Sequence, residues 1–204
     1  MRLQGVAFRV HDPRWSFKPL SGEGAALYGG RFNRKDMPAL YLALDAITAV
    51  REITQGLARK FDPCLLCSYD FDCEPLADLR TDAARTTHHV KLSDMRCAWF
   101  LEASAGADPA SWNIADRLSA EGYAGLLTPS FAPGATESAH NLVLWKWGAV
   151  LPTRVTVYDP SGPLPAKLSC RHPAPPRVGI PSRARLPSRA LRCGRTRSTL
   201  RSAA

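Results

Sequence analysis

The sequence predicts an α+β fold, with a single compact domain over residues 1–162 and a disordered basic tail over residues 163–204. The chain has 204 residues, of which 45% are hydrophobic, so one ordinary domain has enough material for a core. Strand and helix signals are mixed without a regular βαβ order, which disfavours a doubly wound sheet. After Gly162 the composition shifts to Pro, Arg, Ser and Ala, and no apolar periodicity continues.

The first half of the domain is predicted to contain strand, loop, strand and helix in that order. Val6–Val10 is a short strand signal, and residues 12–34 form a Gly-, Pro- and Ser-rich loop that encloses a helical turn at Ala25–Tyr28. Pro38–Ala43 is a buried strand that runs into a helix over Asp45–Phe61, whose first residue is a suitable N-cap. The expected core face of this helix consists of Ile47, Val50, Ile53, Leu57 and Ala58.

The second half alternates shorter apolar segments with a helical middle. Periodicity and flanking turn residues predict the following elements. The strands are Cys64–Phe71, Gly125–Thr128, Leu142–Trp147 and Arg154–Tyr158, and the helices include Arg96–Ala103 and Trp112–Glu121.

The net charge of +9 comes from the tail rather than from the folded body. Ten of the 27 Lys and Arg residues lie between Pro165 and Ala204, a stretch without any acid. The other 17 basic and 18 acidic residues leave Met1–Leu164 at a formal charge of −1. The tail either attracts phosphate-bearing polymers non-specifically or has no selected role. Nucleic acid is therefore not expected as a direct partner of the body.

Nothing in the sequence resembles a secretion signal or a membrane span. The longest uncharged run, Gly122–Thr136, has 15 residues and contains two prolines, whereas a spanning helix needs about 20 apolar residues. Cys64 and Cys67 are predicted to point to opposite faces of a strand, so they cannot hold one metal ion together. We expect buried, reduced cysteines, a cytoplasmic protein and no metal site.

Arg31 follows two glycines in the segment Gly29-Gly30-Arg31-Phe32-Asn33. Glycine lets a ligand approach the main chain closely, and a guanidinium offers a fork of donors suited to phosphate or ribose oxygens. The same five residues are also compatible with a tight turn that carries a solvated arginine.

Tyr41 and Glu52 are further candidates at the strand-to-helix transition. Tyr41 lies within an apolar strand and can stack on a flat ring, although a core tyrosine has the same pattern. Glu52 shares a helix side with Thr48, away from the predicted apolar stripe, where a solvated glutamate is the ordinary interpretation. Taken separately, none of these residues identifies a site.

Together, the segments resemble the RES domain, the toxin component of bacterial toxin–antitoxin pairs. The resemblance covers Val6 to Asp159. It is carried by FRVHDPRW, PLSGEGA, GGRFN and PALYLALDAITAVRE, followed by GLLTPS and HNLVLWKW. The sequence departs from the family pattern at Arg34-Lys35-Asp36-Met37, a turn where Pro or Gly is expected.

The resemblance implies a fold related to ADP-ribosyltransferases and an Arg-Tyr-Glu trio at an NAD⁺ site. The trio corresponds to Arg31, Tyr41 and Glu52, which we assign as catalytic residues. The resemblance also implies a serine on a later loop, for which Ser130 is the best match. The predicted substrate-binding set is Arg31, Tyr41, Ser130, Asn33, Asn141 and Arg9.

The implied activity is cleavage of the nicotinamide–ribose bond of NAD⁺, which is the substrate. ADP-ribose would pass to water, phosphate or a protein, so glycohydrolase, phosphorylase and ADP-ribosyltransferase activities all remain open. The implied partner is an Xre-like antitoxin with a helix-turn-helix DNA-binding region, through which nucleic acid would be contacted only indirectly. The alternatives are a nucleic-acid-binding or nuclease toxin that uses the basic tail, and a catalytically silent binding module.

Overall fold

The computed structural model describes residues 1–54 and 63–159. The predicted boundary at residue 162 and the predicted tail lie outside these ranges. The described strands are β1 (Leu3–His11), β2 (Leu40–Ala43), β3 (Leu65–Cys73), β4 (Leu76–Asp78), β5 (Gly125–Pro129), β6 (His140–Leu144) and β7 (Thr153–Val157). The described helices are α1 (Glu23–Tyr28), α2 (Ala46–Ile53), α3 (Asp82–Thr87), α4 (Leu92–Met95), α5 (Trp99–Ser104) and α6 (Ala110–Ala120), with a 3₁₀ turn at Pro13–Trp15.

The described strands form one seven-stranded sheet in the order β4-β5-β6-β2-β1-β3-β7. Every neighbouring pair is antiparallel except β4 and β5, which run parallel. A predominantly antiparallel sheet, with four of the six described helices grouped between β4 and β5, is an α+β arrangement, so the predicted fold class is confirmed. Among the described residues, none of the helices has the length and apolar character needed to cross a bilayer.

The two faces of the sheet carry separate cores because side chains alternate along each strand. On one face, Leu40 and Leu42 of β2 pack with Tyr69 of β3 in a large apolar cluster. On the other face, Tyr41 packs against a second cluster that includes Val143 of β6 and residues from α4 and α6. The middle of β2 therefore places Tyr41 on the face that the helices cover.

Helix α2 begins where the sequence predicts but presents a different face to the sheet. The Asp45 side chain accepts a hydrogen bond from the Thr48 amide at 2.8 Å, which caps the helix as expected. The predicted core face is wrong, because Ile47 is 65% exposed whereas Thr48 and Ala49 are buried. Ala49 packs with Val10 and other residues of β1 and β2, and its small side chain lets the helix lie close to the sheet. The predicted extension of this helix, residues 55–61, lies outside the described residues.

Several other predictions need correction. The predicted strand Leu142–Trp147 ends at Leu144, and the two tryptophans beyond it donate to the loop carbonyls of Phe32 and Leu20 instead. The short elements β4, α3 and α4 were missed because three to six residues carry too little periodicity to be recognised. Cys64 is exposed, so the expectation that the cysteines are buried is wrong at that position.

Candidate functional site

Two adjoining cavities meet at the predicted site. The central cavity has a volume of about 380 Å³ and is lined by Arg31, Phe131 and Thr128 among others. The second, which we call the apolar cavity, measures about 230 Å³ and is lined largely by aliphatic residues of β1, β2 and α2. The side chains common to both linings are Arg9, Tyr41, Glu52 and Asn141.

Glu52 lies at the junction of the two cavities, near the end of α2. Its Oε1 atom accepts hydrogen bonds from Ser130 Oγ and from Asn141 Nδ2, each at 2.6 Å. Ser130 directly follows β5, and Asn141 belongs to β6. Two side chains that are distant in sequence from Glu52 therefore hold one of its carboxylate oxygens in a fixed position, which brings together three of the predicted site residues.

The Asn141 amide is only partly satisfied by the protein. Its Nδ2 donates to Glu52, which fixes the side-chain orientation because a carboxylate cannot donate. The Oδ1 atom is buried and has no hydrogen-bond partner among the described residues. A buried acceptor without a partner is uncommon, and at the edge of a cavity it suits a ligand that brings a donor.

The Tyr41 hydroxyl is fully engaged within the protein. It donates to Asn33 Oδ1 at 2.8 Å and accepts from the Phe32 amide at 2.9 Å. Burial raises the pKa of Tyr41 above its usual value, so the phenol stays protonated. The hydroxyl therefore anchors the side chain, and the ring is what remains to contact a ligand.

Arg31 is oriented towards the central cavity by contacts on several sides. Its Nη1 donates to the carbonyl oxygens of Met95 and Cys97 at 3.0 and 2.8 Å, and its guanidinium carbon lies 4.9 Å from the centre of the Phe131 ring. Burial lowers the pKa of Arg31, but an arginine remains charged at neutral pH. The other guanidinium donors make no hydrogen bond to the described residues, so they are available to an anionic ligand.

The turn that carries Arg31 is secured by two tryptophans. The indole of Trp112 donates to the Gly30 carbonyl at 2.7 Å, and that of Trp145 donates to the Phe32 carbonyl at 2.8 Å. A Cβ atom at Gly30 would lie 2.5 Å from the Tyr41 hydroxyl oxygen, which explains why glycine is needed there. This glycine serves close packing of the turn against Tyr41.

Asn33 points into the protein rather than into either cavity. It is 2% exposed, and its Nδ2 lies 2.9 Å from the carbonyl oxygens of Ala25, Arg34 and Met37. Its Oδ1 accepts from Tyr41. These contacts use the whole amide, so Asn33 holds the loop and positions Tyr41. Because Asn33 lines neither cavity, we propose this positioning role in place of the predicted one among the substrate-binding residues.

Arg9 lies where the prediction places it, beside both cavities. Its Nη1 donates to the carbonyl oxygens of Ser21 and Pro19 at 3.0 and 3.3 Å, which ties β1 to the loop that precedes α1. Burial lowers the pKa of Arg9 as well, and it too remains a cation. At the departure from the family pattern, Asp36 adopts the left-handed conformation with a φ of 67° that a glycine would otherwise supply.

Several residues that line the central cavity were not predicted from the sequence. Phe131 lies under the Arg31 guanidinium, Trp99 is a second aromatic residue of the lining, and Thr128 lies in β5 two residues before Ser130. The adjacency of Phe131 to the predicted Ser130 was a usable signal, whereas Trp99 comes from a separate short helix. Within the described residues, no cluster of His, Cys, Asp or Glu could hold a metal ion.

Comparisons with known proteins agree with this architecture. The family model described as "RES domain" matches residues 6–167. Among solved structures, the crystal structure of the M. tuberculosis MbcT–MbcA toxin–antitoxin complex contains a chain that matches with a TM-score of 0.53 and 23% sequence identity. The match covers 78% of this chain and 84% of that one, and at this identity it supports the fold alone. No curated protein matches the sequence.

Proposed function

The chain belongs to the RES domain family, and from this premise we propose that it is a toxin enzyme that cleaves NAD⁺ at the nicotinamide–ribose bond. The observation that carries the proposal is the Glu52 carboxylate, held by Ser130 and Asn141 at the junction of two cavities. The family's kinship with ADP-ribosyltransferases supplies the reaction class. The geometry supports a specific role for each residue.

Glu52 is proposed to stabilise the charge that develops during bond cleavage. When nicotinamide leaves, the ribose becomes oxocarbenium-like and carries positive charge, as in glycoside hydrolysis. A carboxylate fixed before the reaction stabilises that charge without having to reorganise. The hydrogen bonds from Ser130 and Asn141 supply this preorganisation, and Asn141 Oδ1 can accept a bond from a ribose hydroxyl.

Tyr41 and Arg31 are proposed to bind the groups on either side of the nicotinamide ribose, which are the nicotinamide ring and the pyrophosphate. The Tyr41 ring lines both cavities, so it can stack on nicotinamide beside Glu52. Arg31 faces the central cavity as a desolvated cation, and a pyrophosphate would satisfy its remaining donors. These roles require no metal ion.

The acceptor of ADP-ribose is tested by product analysis. Purified protein is incubated with NAD⁺ in phosphate-free buffer, with phosphate, or with cell lysate, and the products are identified by mass spectrometry. Free ADP-ribose would identify a glycohydrolase, a phosphorylated ADP-ribose would identify a phosphorylase, and modified protein would identify a transferase. No release of nicotinamide under any of the three conditions would contradict the proposed function.

Replacing Arg31 tests its role in binding. We expect Arg31→Ala to weaken NAD⁺ binding by roughly 10- to 100-fold, the usual effect of losing charge-assisted hydrogen bonds. Isothermal titration calorimetry measures the dissociation constant. Arg96→Ala is the control, because Arg96 also approaches Phe131, at 5.9 Å, without lining the central cavity. Equal affinity in Arg31→Ala and the wild type would refute this role.

The proposed partner is an Xre-like helix-turn-helix antitoxin that blocks the cavities. It is supported by the family and by the fold neighbour, which was solved as a toxin–antitoxin complex. A cytoplasmic location is part of the same proposal, since NAD⁺ and a DNA-binding partner would both be found there. Co-expression with the gene adjacent to this one, followed by pull-down and NAD⁺ assays, tests the pairing.

A nucleic-acid-directed activity is the second candidate function, because the C-terminal segment is strongly basic. We also keep the division at residue 162 as a proposal, with the tail separate from the catalytic body. Removing residues 169–204 leaves the whole family match in place and deletes nine arginines. We expect NAD⁺ consumption within about twofold of the full chain and loss of any salt-sensitive binding to DNA in a gel-shift assay. Loss of a nuclease activity with NAD⁺ left untouched would favour the second candidate.

A further inference from the structure

A third cavity continues from the central one, and its lining is rich in aromatic side chains. It measures about 430 Å³, and its walls come from α5, Tyr28, Trp112 and the turn at Arg34 and Lys35. We call it the aromatic groove. Tyr28 and Trp99 line both the aromatic groove and the central cavity, so the two cavities adjoin at these residues.

The residues that line each cavity indicate the direction in which a dinucleotide would bind. Glu52 and Tyr41 mark the point where the nicotinamide–ribose bond is proposed to lie, and both residues line the apolar and central cavities. The apolar cavity is the smallest of the three. Arg31 lines the central cavity but not the apolar cavity, and there it suits the pyrophosphate. The rest of the dinucleotide would therefore extend past Arg31 towards the aromatic groove.

We propose that the aromatic groove binds the adenosine half of NAD⁺. This inference rests on the proposed function. Phe100 and Tyr28 are 64% and 73% exposed, and Trp99 is partly buried, so aromatic surface is open to the groove. Exposed aromatic side chains stack on the flat face of a nucleobase, and adenine offers such a face.

The charges of the groove suit a phosphate-bearing nucleoside. The Arg34 guanidinium is paired with Asp108 and Asp116 and lies 5.1 Å from the Trp112 ring, so its charge is largely compensated. Lys35 also lines the groove and forms no salt bridge with the described residues. One uncompensated cation next to aromatic rings matches the adenylate end of a dinucleotide.

An acceptor molecule is a poorer occupant for this groove. The acceptor must reach the anomeric carbon of the nicotinamide ribose, which is proposed to lie beside Glu52. None of Tyr41, Glu52 and Asn141 lines the aromatic groove. A molecule held in the groove therefore contacts none of the three residues proposed to surround the reacting bond, as is expected of the adenosine in an extended dinucleotide.

The test compares NAD⁺ with nicotinamide mononucleotide, which has the same scissile bond but lacks the adenylate half. Phe100→Ala and Lys35→Gln are measured in the full-length protein. We expect Phe100→Ala to reduce the preference for NAD⁺ over the mononucleotide, as a ratio of kcat/KM, by about tenfold, the scale of losing one aromatic–base stack. Lys35→Gln should reduce it less. Leu101→Ala is the matched control, because Leu101 is on the same helix, is 69% exposed and lines none of the three cavities.

A second arm uses AMP as a probe in calorimetry, so that the groove can be judged without turnover. We expect AMP to bind the wild type and the Leu101→Ala variant equally, and to bind Phe100→Ala about tenfold more weakly. Absence of AMP binding to the wild type would overturn the groove assignment even if NAD⁺ is consumed. An unchanged NAD⁺ preference in both groove variants, or a change in products alone, would also overturn it. AMP binding that depends on Phe100, without any consumption of NAD⁺, would support the groove while refuting the proposed enzyme activity.

Discussion

Glu52→Gln is expected to lower NAD⁺ consumption by at least ~100-fold while leaving the fold intact. The amide oxygen of glutamine can still accept from Ser130 Oγ and Asn141 Nδ2, so the hydrogen bonds that position the side chain survive. What disappears is the negative charge opposite the developing oxocarbenium ion. Removing one preorganised electrostatic group typically costs a factor of 10² to 10³ in kcat. Nicotinamide release measured under saturating NAD⁺ gives kcat directly.

The control for this substitution is Glu121→Gln, the same chemical change at an exposed position. Glu121 forms a salt bridge with Arg117 on the surface, at 2.8 Å, and lies on neither cavity wall. It should retain full activity and nearly full stability, since exposed ion pairs contribute little. Thermal melts of both variants show whether they fold. A folded Glu52→Gln protein that turns over NAD⁺ at the wild-type rate would eliminate the proposed mechanism.

Asn33→Ala should destabilise the protein by about 3 kcal/mol, even though Asn33 contacts neither cavity. The substitution removes the donor shared by the Ala25, Arg34 and Met37 carbonyls, and it removes the acceptor of the Tyr41 hydroxyl. Net contributions of about 0.5 to 1.5 kcal/mol per hydrogen bond add up to this range. The free energy of unfolding from urea titration measures the loss.

Asn113→Ala provides the comparison, because Asn113 is exposed and accepts a single long hydrogen bond from Arg34 at 3.3 Å. Its free energy of unfolding should change by no more than about 0.5 kcal/mol. In the folded fraction of Asn33→Ala, KM for NAD⁺ should rise because Tyr41 has lost its anchor. Equal stability of the two variants would show that Asn33 does not hold the loop.

Local patterns in the sequence were sufficient to predict much of the fold. The strand signals at Val6–Val10 and Pro38–Ala43 and the Asp45 cap of α2 are properties of short segments, and the structure agrees with them. The buried face of α2 is different, because it depends on how closely the helix approaches the sheet. Small Ala49 faces the sheet and Ile47 faces solvent, an outcome that apolar periodicity alone does not predict.

The candidate site was also only partly predictable from the sequence. Residue types and spacing identified Arg31, Tyr41 and Glu52 as candidates once the family resemblance was added, but not the contacts that hold them. The bonds from Ser130 and Asn141 to Glu52 span 78 and 89 residues, so they depend on the pairing of β6 with β2 and of β5 with β6, which no short segment of sequence encodes. Asn33 was a substrate-binding candidate because it is close in sequence to Arg31, which lines the central cavity, whereas its own side chain points into the protein.

The unpaired Oδ1 of Asn141 has a practical consequence for inhibitor chemistry. It lies next to the Glu52 carboxylate, so this wall presents adjacent acceptors. A compound that places an amidine, a guanidine or a pair of hydroxyls here would satisfy both groups, whereas a carboxylate or sulfonate placed directly against Glu52 would be repelled. Medicinal chemists would therefore begin from donor-rich ribose mimics when screening against this protein.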